Sequence, residues 1–519
     1  MPSLSRYIST FMTLIDSLKQ ASFYPHPVDQ IEVIETHISW LILTGEYAYK
    51  IKKPVDFGFL DFTTLEKRQH FCEEELRLNQ RLAPDIYQQV ISIGGSAEKP
   101  IFNPEDDEEI IEYAVQMQQF DHSQRLDLLL ANHRFEASWI DTLAEQIADF
   151  HQRIPMVAQD SPWGEAETIW EVVSDNFSHI TDAIDELDDW HKVQKLSHYT
   201  AQQFRKLTPL IEQRKQSGHI RECHGDLHLA NITLFHDELR LFDCIEFNLQ
   251  FRWIDSICDL AFLLMDLEAN GEFRWANRCL NRYLEISGDY NALPLLNFYK
   301  AYRSMVRAKV AVLGEHHDLQ TLRRYLRLTD YYARAPKPAL FLMHGISGSG
   351  KSHLSQQLVD QTDTIRIRSD VERKRLFREL SLKGEKIDLY GPQMNAHTFN
   401  HLFDNSAELL RNGYSVVVDA TCLRQRTRQN YIELAEKLGI PVRIISCECE
   451  QKLIEARLKR RSNEGSDASD ADIAVMLEQQ QLAQPLTEEE RALTLSIDTD
   501  DDEAIVRLLE QLRIQEVIF

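Results

Sequence analysis

One octapeptide limits the fold of this chain more than any other stretch: Gly345-Ile346-Ser347-Gly348-Ser349-Gly350-Lys351-Ser352, set directly behind the apolar run Ala339-Leu340-Phe341-Leu342-Met343-His344. An unbroken apolar run of this length, stopped at once by glycine, reads as a strand buried on both faces, and such strands belong to parallel sheets covered by helices. The residues behind the loop, His353 to Val359, carry the period of an amphipathic helix. In that context G-x-x-x-x-G-K-S is a phosphate cradle. Its glycines let the backbone wrap close to the phosphates, backbone amides and the helix N-terminus attract their charge, Lys351 reaches the β and γ oxygens, and the Ser352 hydroxyl ligates magnesium. Gly345, Ser347, Gly348, Ser349, Gly350, Lys351 and Ser352 are therefore the candidate contacts for ATP, with Mg2+ as its companion ion.

The chain beyond the loop adds carboxylates at strand ends. Ile365-Arg366-Ile367-Arg368-Ser369-Asp370-Val371-Glu372-Arg373 reads as a strand ending in Asp, with Arg three residues on at the start of a helix. Taken alone it is a helix-capping Asp beside a solvated Arg. Ser415-Val416-Val417-Val418-Asp419 is a second buried strand ending in a carboxylate, the usual form of a Walker B element, which holds magnesium directly or through water. After the strand Val442 to Cys447, a helix carries Arg457 and Arg461 on one face, four residues apart, with Arg460 as the competing choice. The polar stretch Asn463 to Asp470 reads as a mobile lid, and Leu493 to Asp498 and Glu503 to Leu512 close the domain as strand and helix. These residues together resemble the polynucleotide-kinase, zeta-toxin and small-metabolite P-loop kinases. The resemblance implies that Asp370 accepts the proton of an attacking hydroxyl and that Arg373 steadies the acceptor or its phosphate. It also implies that Arg457 and Arg461 are lid arginines, neutralising charge on the transferred phosphoryl group.

A second stretch organises the front of the chain: His224-Gly225-Asp226-Leu227-His228-Leu229-Ala230-Asn231, then Leu239-Arg240-Leu241-Phe242-Asp243. Asp226 and Asn231 keep the D-x-x-x-x-N spacing of a protein-kinase catalytic loop, with Gly225 in place of Arg. Ile232 to Phe235, the turn His236-Asp237-Glu238 and Leu239 to Phe242 alternate like two paired strands, which delivers Asp243 beside the loop. A metal pair at His224 and His228 explains neither Asn231 nor Asp243. The constellation resembles the aminoglycoside and choline phosphotransferase branch of the protein-kinase-like fold, which implies Asp226 as base and Asn231 and Asp243 as magnesium ligands. Cys244-Ile245-Glu246 follows Asp243 where that fold's relatives carry a D-F-G glycine, and Glu246 reads as an extra ligand or a surface carboxylate.

The same resemblance implies a lysine on the second strand of the hairpin Leu41 to Pro54, Lys50 in preference to Lys52, paired with one of Glu73, Glu74 or Glu75, of which Glu75 is favoured. Lys50 and Glu75 are thus the expected phosphate-side ion pair. Glu109 to Met117 reads as the strand entering a hinge, and Asp259 as a brace for the Asp226 loop. No G-x-G-x-x-G stretch is present near the start.

With 519 residues the chain exceeds one core. The expected architecture is an α+β protein-kinase-like two-lobed domain followed by an α/β P-loop NTPase domain with a parallel sheet. The N-lobe covers 1–118, the helical C-lobe 119–333 and the P-loop domain 339–519, with the boundary at the proline-bearing stretch 333–338. Nearly the whole chain resembles a bacterial fusion of these two domain types. A net charge of −25 disfavours nonspecific attraction to a nucleic-acid backbone, so the first expectation for a partner is a small hydroxyl compound. Eight cysteines without a C-x-x-C pair fit a reducing cytoplasm. Neither a signal pattern nor a membrane-length apolar run is present. Three accounts follow: a bifunctional ATP-dependent kinase of a small metabolite, sugar or nucleoside-like compound; a 5′-hydroxyl polynucleotide kinase; and an ATP-driven switch gating the front domain.

Overall fold

The computed structural model describes residues 4–105, 109–314, 317–334, 337–464, 469–515 and 517. Its contacts divide the chain into two compact units. The first comprises Met1–Trp139, Phe150–Glu186 and Thr200–Asp266, and the second Ile140–Asp149, Leu187–Tyr199 and Leu267–Phe519. No helix among the described residues is long and apolar enough to cross a membrane.

The first unit is built on an antiparallel sheet of β1 (Glu32–Glu35), β2 (Ser39–Leu43), β3 (Tyr47–Lys52), β4 (Tyr87–Ser96), β5 (Lys99–Phe102) and β6 (Ile110–Gln118), in the order β1-β2-β3-β6-β4-β5. The period of two along β3 assigns its faces. Tyr49 and Ile51 pack with Phe11, Leu14, Trp40 and Ile42 in one core cluster, and Ala48 packs with Cys72, Val115 and Met117 in another. Lys50 and Lys52 share the Ala48 face, the side covered by the helix Leu65–Asn79. That helix starts at Thr64, whose hydroxyl accepts from the Lys67 amide at 3.2 Å. A fully buried pair anchors it to the sheet, Arg68 Nε to Glu112 at 2.9 Å. The hairpin β4–β5 was not expected from sequence, because Gly94 and Gly95 interrupt its alternation and β4 pairs with β6 through two irregular steps.

Further along, β7 (Ile220–Glu222), β8 (Ile232–Phe235), β9 (Glu238–Leu241) and β10 (Trp253–Asp255) form two short ladders, β8 with β9 and β7 with β10. The β8–β9 ladder pairs Ile232 with Leu241 and Phe235 with Glu238, the hairpin that the sequence alternation predicts. A long helix, Leu187–Gln216, runs through Pro209.

The second unit holds a five-stranded sheet of β11 (Leu340–His344), β12 (Thr364–Arg368), β13 (Ser415–Asp419), β14 (Val442–Glu448) and β15 (Thr494–Asp498), all parallel, ordered β12-β13-β11-β14-β15. Phe341, Met343, Val417 and Ile445 lie in one core with Leu354, Leu358 and Leu508 from the covering helices. The helix Phe273–Ser287 belongs to this unit, so the compact division falls at Asp266, ahead of the proline-bearing stretch. The physical reason is that Asn277 and Asn281 donate to backbone carbonyls of the P-loop half, which ties this helix to that sheet. Ala335 and Pro336 lie outside the described residues.

Candidate functional site

In the second unit β11 ends at His344 and the loop turns into the helix Lys351–Gln361 through Gly350, its N-cap, at φ +89°. A Cβ there would come 2.8 Å from Thr499 Cβ, so only glycine fits. Within the loop the Ser347 amide donates to Gln479 Oε1 at 2.7 Å, and Lys351 Nζ donates to Ile346 O at 2.8 Å. Burial pushes the Lys351 ammonium below its ordinary value, with Cys447 and Asp419 opposing. The Ser352 hydroxyl donates to Asp419 Oδ1 at 3.3 Å and the Ser355 hydroxyl to Asp419 Oδ2 at 3.2 Å. A hydroxyl and a carboxylate, 5% exposed, are the hard oxygen donors that suit Mg2+. The turn after Asp419 is held by Arg428, which donates to Cys422 O and Leu423 O and pairs with Glu490.

Ser347, Lys351, Ser352 and Asp419 line a cleft of about 970 Å³ that also includes Asp370, Arg373, Arg457, Arg460 and Arg461. Asp370 stands in the first turn of the helix Ser369–Leu382, directly beyond β12. One turn on, Arg373 is 7% exposed, donates to Asn395 Oδ1 at 2.5 Å and lies over the Tyr390 ring. Its buried Nε has no hydrogen-bond partner among the described residues. Burial pushes Arg373 down, with Asp370 acting against that shift. The two lid candidates differ in surroundings. Arg457 donates to Thr499 O at 2.9 Å and lies 3.3 Å from Asp500, whereas Arg461 donates to Ala471 O. Of the expected lid, Gly465–Ala468 lie outside the described residues; Asp470 bonds the Tyr390 hydroxyl and Lys374.

In the first unit the loop 224–231 is stitched to the segment after β9. His224 Nε2 bonds Phe242 O at 2.9 Å, the Phe242 amide donates to Asn231 O at 3.0 Å, and the Ile245 amide donates to His224 O at 3.0 Å. Asn231 Nδ2 donates to Asp226 Oδ2 at 2.9 Å, and His228 Nε2 lies 3.3 Å from the same oxygen. Gly225 explains why this loop departs from H-R-D. Its φ is +88° and a Cβ would stand 2.8 Å from Phe251 O, which bars arginine. Asp259 receives the His224 and Gly225 amides on separate oxygens, and Asp266 receives the Leu229 amide at 3.0 Å. Asp243 adopts φ +64°, a region that Asp tolerates. Its amide and that of Cys244 donate to Tyr87 Oη and Asn79 Oδ1. Tyr87 and Asn79 were not singled out from sequence, although Asn79 sits one turn beyond Glu75 on the same helix.

The lysine alternative resolves into a shared arrangement. Lys50 lies 2.8 Å from Glu75 Oε1 and 2.6 Å from Asp243 Oδ1, and Lys52 lies 2.7 Å from Glu75 Oε2. Glu73 and Glu74 take other partners, Gln69 and Arg77. Glu246 is not a surface carboxylate: it is 4% exposed and bonded to Lys52. Burial alone would lower Lys50, yet Asp243 and Glu75 hold it well above its ordinary value. Burial likewise would raise Glu75, but Lys50 and Lys52 hold it at about 2. For Glu246 burial prevails and its carboxyl is pushed up.

Replacing Glu75 with Gln leaves two buried ammonium groups short of a counter-charge and is expected to cost about 3 kcal/mol of stability at neutral pH, read from denaturant unfolding. The stabilisation from the Glu75 charge is present above its unfolded value of 4.5 and lost as pH falls through about 2. The gap between wild type and the variant therefore closes across that window.

Residues 340–486 match a family model described as an AAA domain. The chain is 29% identical over 467 residues to an uncharacterized protein of Mycobacterium bovis (strain ATCC BAA-935 / AF2122/97), covering 87% of this chain and 91% of that one. An uncharacterized protein of Mycobacterium tuberculosis (strain ATCC 25618 / H37Rv) matches with the same figures, 29% over 467 residues, 87% and 91%. Similar solved structures include a gluconokinase from Sinorhizobium meliloti 1021, at 16% identity and TM-score 0.26, covering 35% of this chain and 98% of that chain. The Mycobacterium tuberculosis APS kinase in complex with AMPPNP and APS is 17% identical at TM-score 0.26, covering 35% of this chain and 99% of its own. The five-stranded parallel sheet of the second unit, with its helices, fits an α/β P-loop NTPase domain, in accord with the family match over 340–486.

Proposed function

We propose that this chain is an ATP-dependent phosphotransferase acting on hydroxyl groups of a small metabolite, sugar or nucleoside-like compound, with one site in each unit. The observation that carries the reading is the single cleft that joins the Lys351 loop and the Ser352–Asp419 pair to Asp370 and Arg373. Phosphoryl transfer asks the protein for a phosphate cradle, oxygen ligands for magnesium and a carboxylate near the attacking hydroxyl, and the residues lining this cleft offer a candidate for each. Ser352 and Asp419 would hold Mg2+, which would supply positive charge against that of the phosphates. Asp370 takes the proton from the acceptor hydroxyl, and the buried Arg373 steadies the acceptor. Arg457 and Arg461 line the phosphate side as the cationic groups facing charge that develops on the transferred phosphoryl group.

For the first unit the same reading makes it protein-kinase-like, with Asp226 as base and Asn231 and Asp243 as the magnesium ligands. Support comes from the Lys50–Glu75 pair on a strand and its covering helix, and from the hydrogen bond that joins Asn231 to Asp226. A cytoplasmic setting accords with the free cysteines.

The test is to incubate the protein and ATP with a cell metabolite extract and search by mass spectrometry for new species heavier by one or two phosphoryl groups. The expected result is at least one such species. Transfer to a 5′-hydroxyl oligonucleotide would favour the polynucleotide-kinase account, and steady ATP hydrolysis with no phosphorylated product would favour the switch.

A further inference from the structure

The helix Phe273–Ser287 presents Asn277, Asn281 and Glu285 at four-residue intervals, so they form one stripe. Four helix residues rise about 6 Å, and two strand residues rise about 6.6 Å. The stripe can therefore keep step with alternate residues of a strand laid beside it. Here the strand is β12, which among the described residues pairs with β13 alone and so leaves one edge of the sheet to be covered. Asn277 Nδ2 donates to Val359 O at 2.7 Å and Thr362 O at 2.6 Å. Asn281 Nδ2 donates to Thr364 O at 3.0 Å, and its Oδ1 accepts from the Arg366 amide at 2.7 Å. Glu285 Oε1 accepts from Arg366 Nη2 at 2.5 Å. Asn281 and Glu285 thus cover the edge strand and Asn277 the end of the helix before it, all from a helix that stands outside the matched segment 340–486.

The last rung reaches the phosphate site. Arg368, the final residue of β12, has Nη1 3.6 Å from Glu285 Oε2 and Nε 3.6 Å from Asp419 Oδ2. Its guanidinium is shared between a carboxylate of the capping helix and the carboxylate assigned to magnesium. Glu285 also faces Arg282 and Arg366, and these cations together with Arg368 outweigh its burial, so it is ionised. Arg366 in turn reaches Gln356 Oε1 at 2.6 Å and Ser352 O at 3.3 Å, on the helix behind the loop.

We propose that Glu285 is a positioning residue of the P-loop site: by sharing Arg368 with Asp419 it keeps the Asp419 carboxylate available to magnesium. This rests on the reading that the Lys351 loop takes a magnesium nucleotide. Without the Glu285 charge, more of the Arg368 charge falls on Asp419. That pair tightens and competes with the metal ion.

The test measures the Mg2+ midpoint for binding of a fluorescent ATP analogue to the full chain, taken as the part of the signal that Lys351→Ala removes. Glu285→Gln, which keeps a hydrogen-bond acceptor for Arg366, is expected to raise the midpoint about tenfold. Arg368→Gln should lower it, and the double variant should match Arg368→Gln to within about twofold. Asn281→Ala, which weakens the edge cover without touching Arg368, should lower the melting temperature and leave the midpoint in place. An unchanged midpoint in Glu285→Gln, or a raised midpoint in the double variant, overturns the proposal. If Glu285→Gln does not fold, Arg368→Gln decides alone, and a midpoint equal to wild type overturns it. Failure of the wild type to show any Lys351-dependent, Mg2+-dependent binding would instead remove the nucleotide reading beneath it.

Discussion

Asp370→Asn is expected to lower phosphoryl transfer at the P-loop cleft by about 10²- to 10⁴-fold, the range seen when a positioned general base is removed. The substitution conserves shape and takes away the group that accepts a proton. The nucleotide side should survive it. Asp370 stands on the helix beyond β12, whereas Lys351, Ser352 and Asp419 come from the loop after β11 and the end of β13. Binding of the fluorescent ATP analogue should therefore stay within about twofold of wild type while the phosphorylated product disappears. Loss of both together would make Asp370 a structural residue of the loop, and retention of transfer would remove it from the chemistry.

Asp226→Asn is the corresponding result for the first unit, with a loss of similar size, about 10²-fold or more. The loop should keep its fold in this variant. Its backbone is braced by Asp259 on the His224 and Gly225 amides and by Asp266 on the Leu229 amide, and none of these bonds uses the Asp226 side chain. The Lys50–Glu75 pair is likewise untouched. In the metabolite-extract assay Asp226→Asn and Asp370→Asn should each remove a different phosphorylated species, and the double variant should remove both. Survival of every product in both single variants would sink the assignment of two bases.

How far these sites can be read in a sequence depends on how local their parts are. The loop from Gly345 to Ser352 and the spacing from Asp226 to Asn231 are each a few consecutive residues, so their geometry is set by neighbours along the chain. The β8–β9 hairpin that brings Asp243 back is equally local, because alternation and a short turn suffice. The lysine pair is less local. A period of two places Lys50 and Lys52 on one face of β3 and cannot choose between them. Only the packed helix Leu65–Asn79 brings Glu75 between both lysines, and only the chain after Asp243 brings Glu246 to Lys52.

Glycine marks a second limit. Gly225 reads in sequence as a departure from H-R-D, and the tertiary structure supplies the reason, the Phe251 carbonyl standing where a Cβ would go. The hairpin β4–β5 escaped the sequence pattern because its glycines break the alternation while the ladder with β6 continues around them. The domain boundary illustrates the same point at larger scale. Prolines mark where chain character changes, but burial and hydrogen bonding decide which helices belong to which sheet.

What the sequence by itself determined is the chemistry available here: a phosphate cradle behind a buried strand, carboxylates at strand ends, and a D-x-x-x-x-N loop followed by a returning Asp. What only the tertiary structure decided is how the charges are shared: Glu75 between two lysines, and Arg368 between Glu285 and Asp419. The reason is physical. A motif needs only the short-range geometry of a continuous backbone, whereas a buried charge settles on whichever partners the packing of distant segments brings within a few ångströms of it.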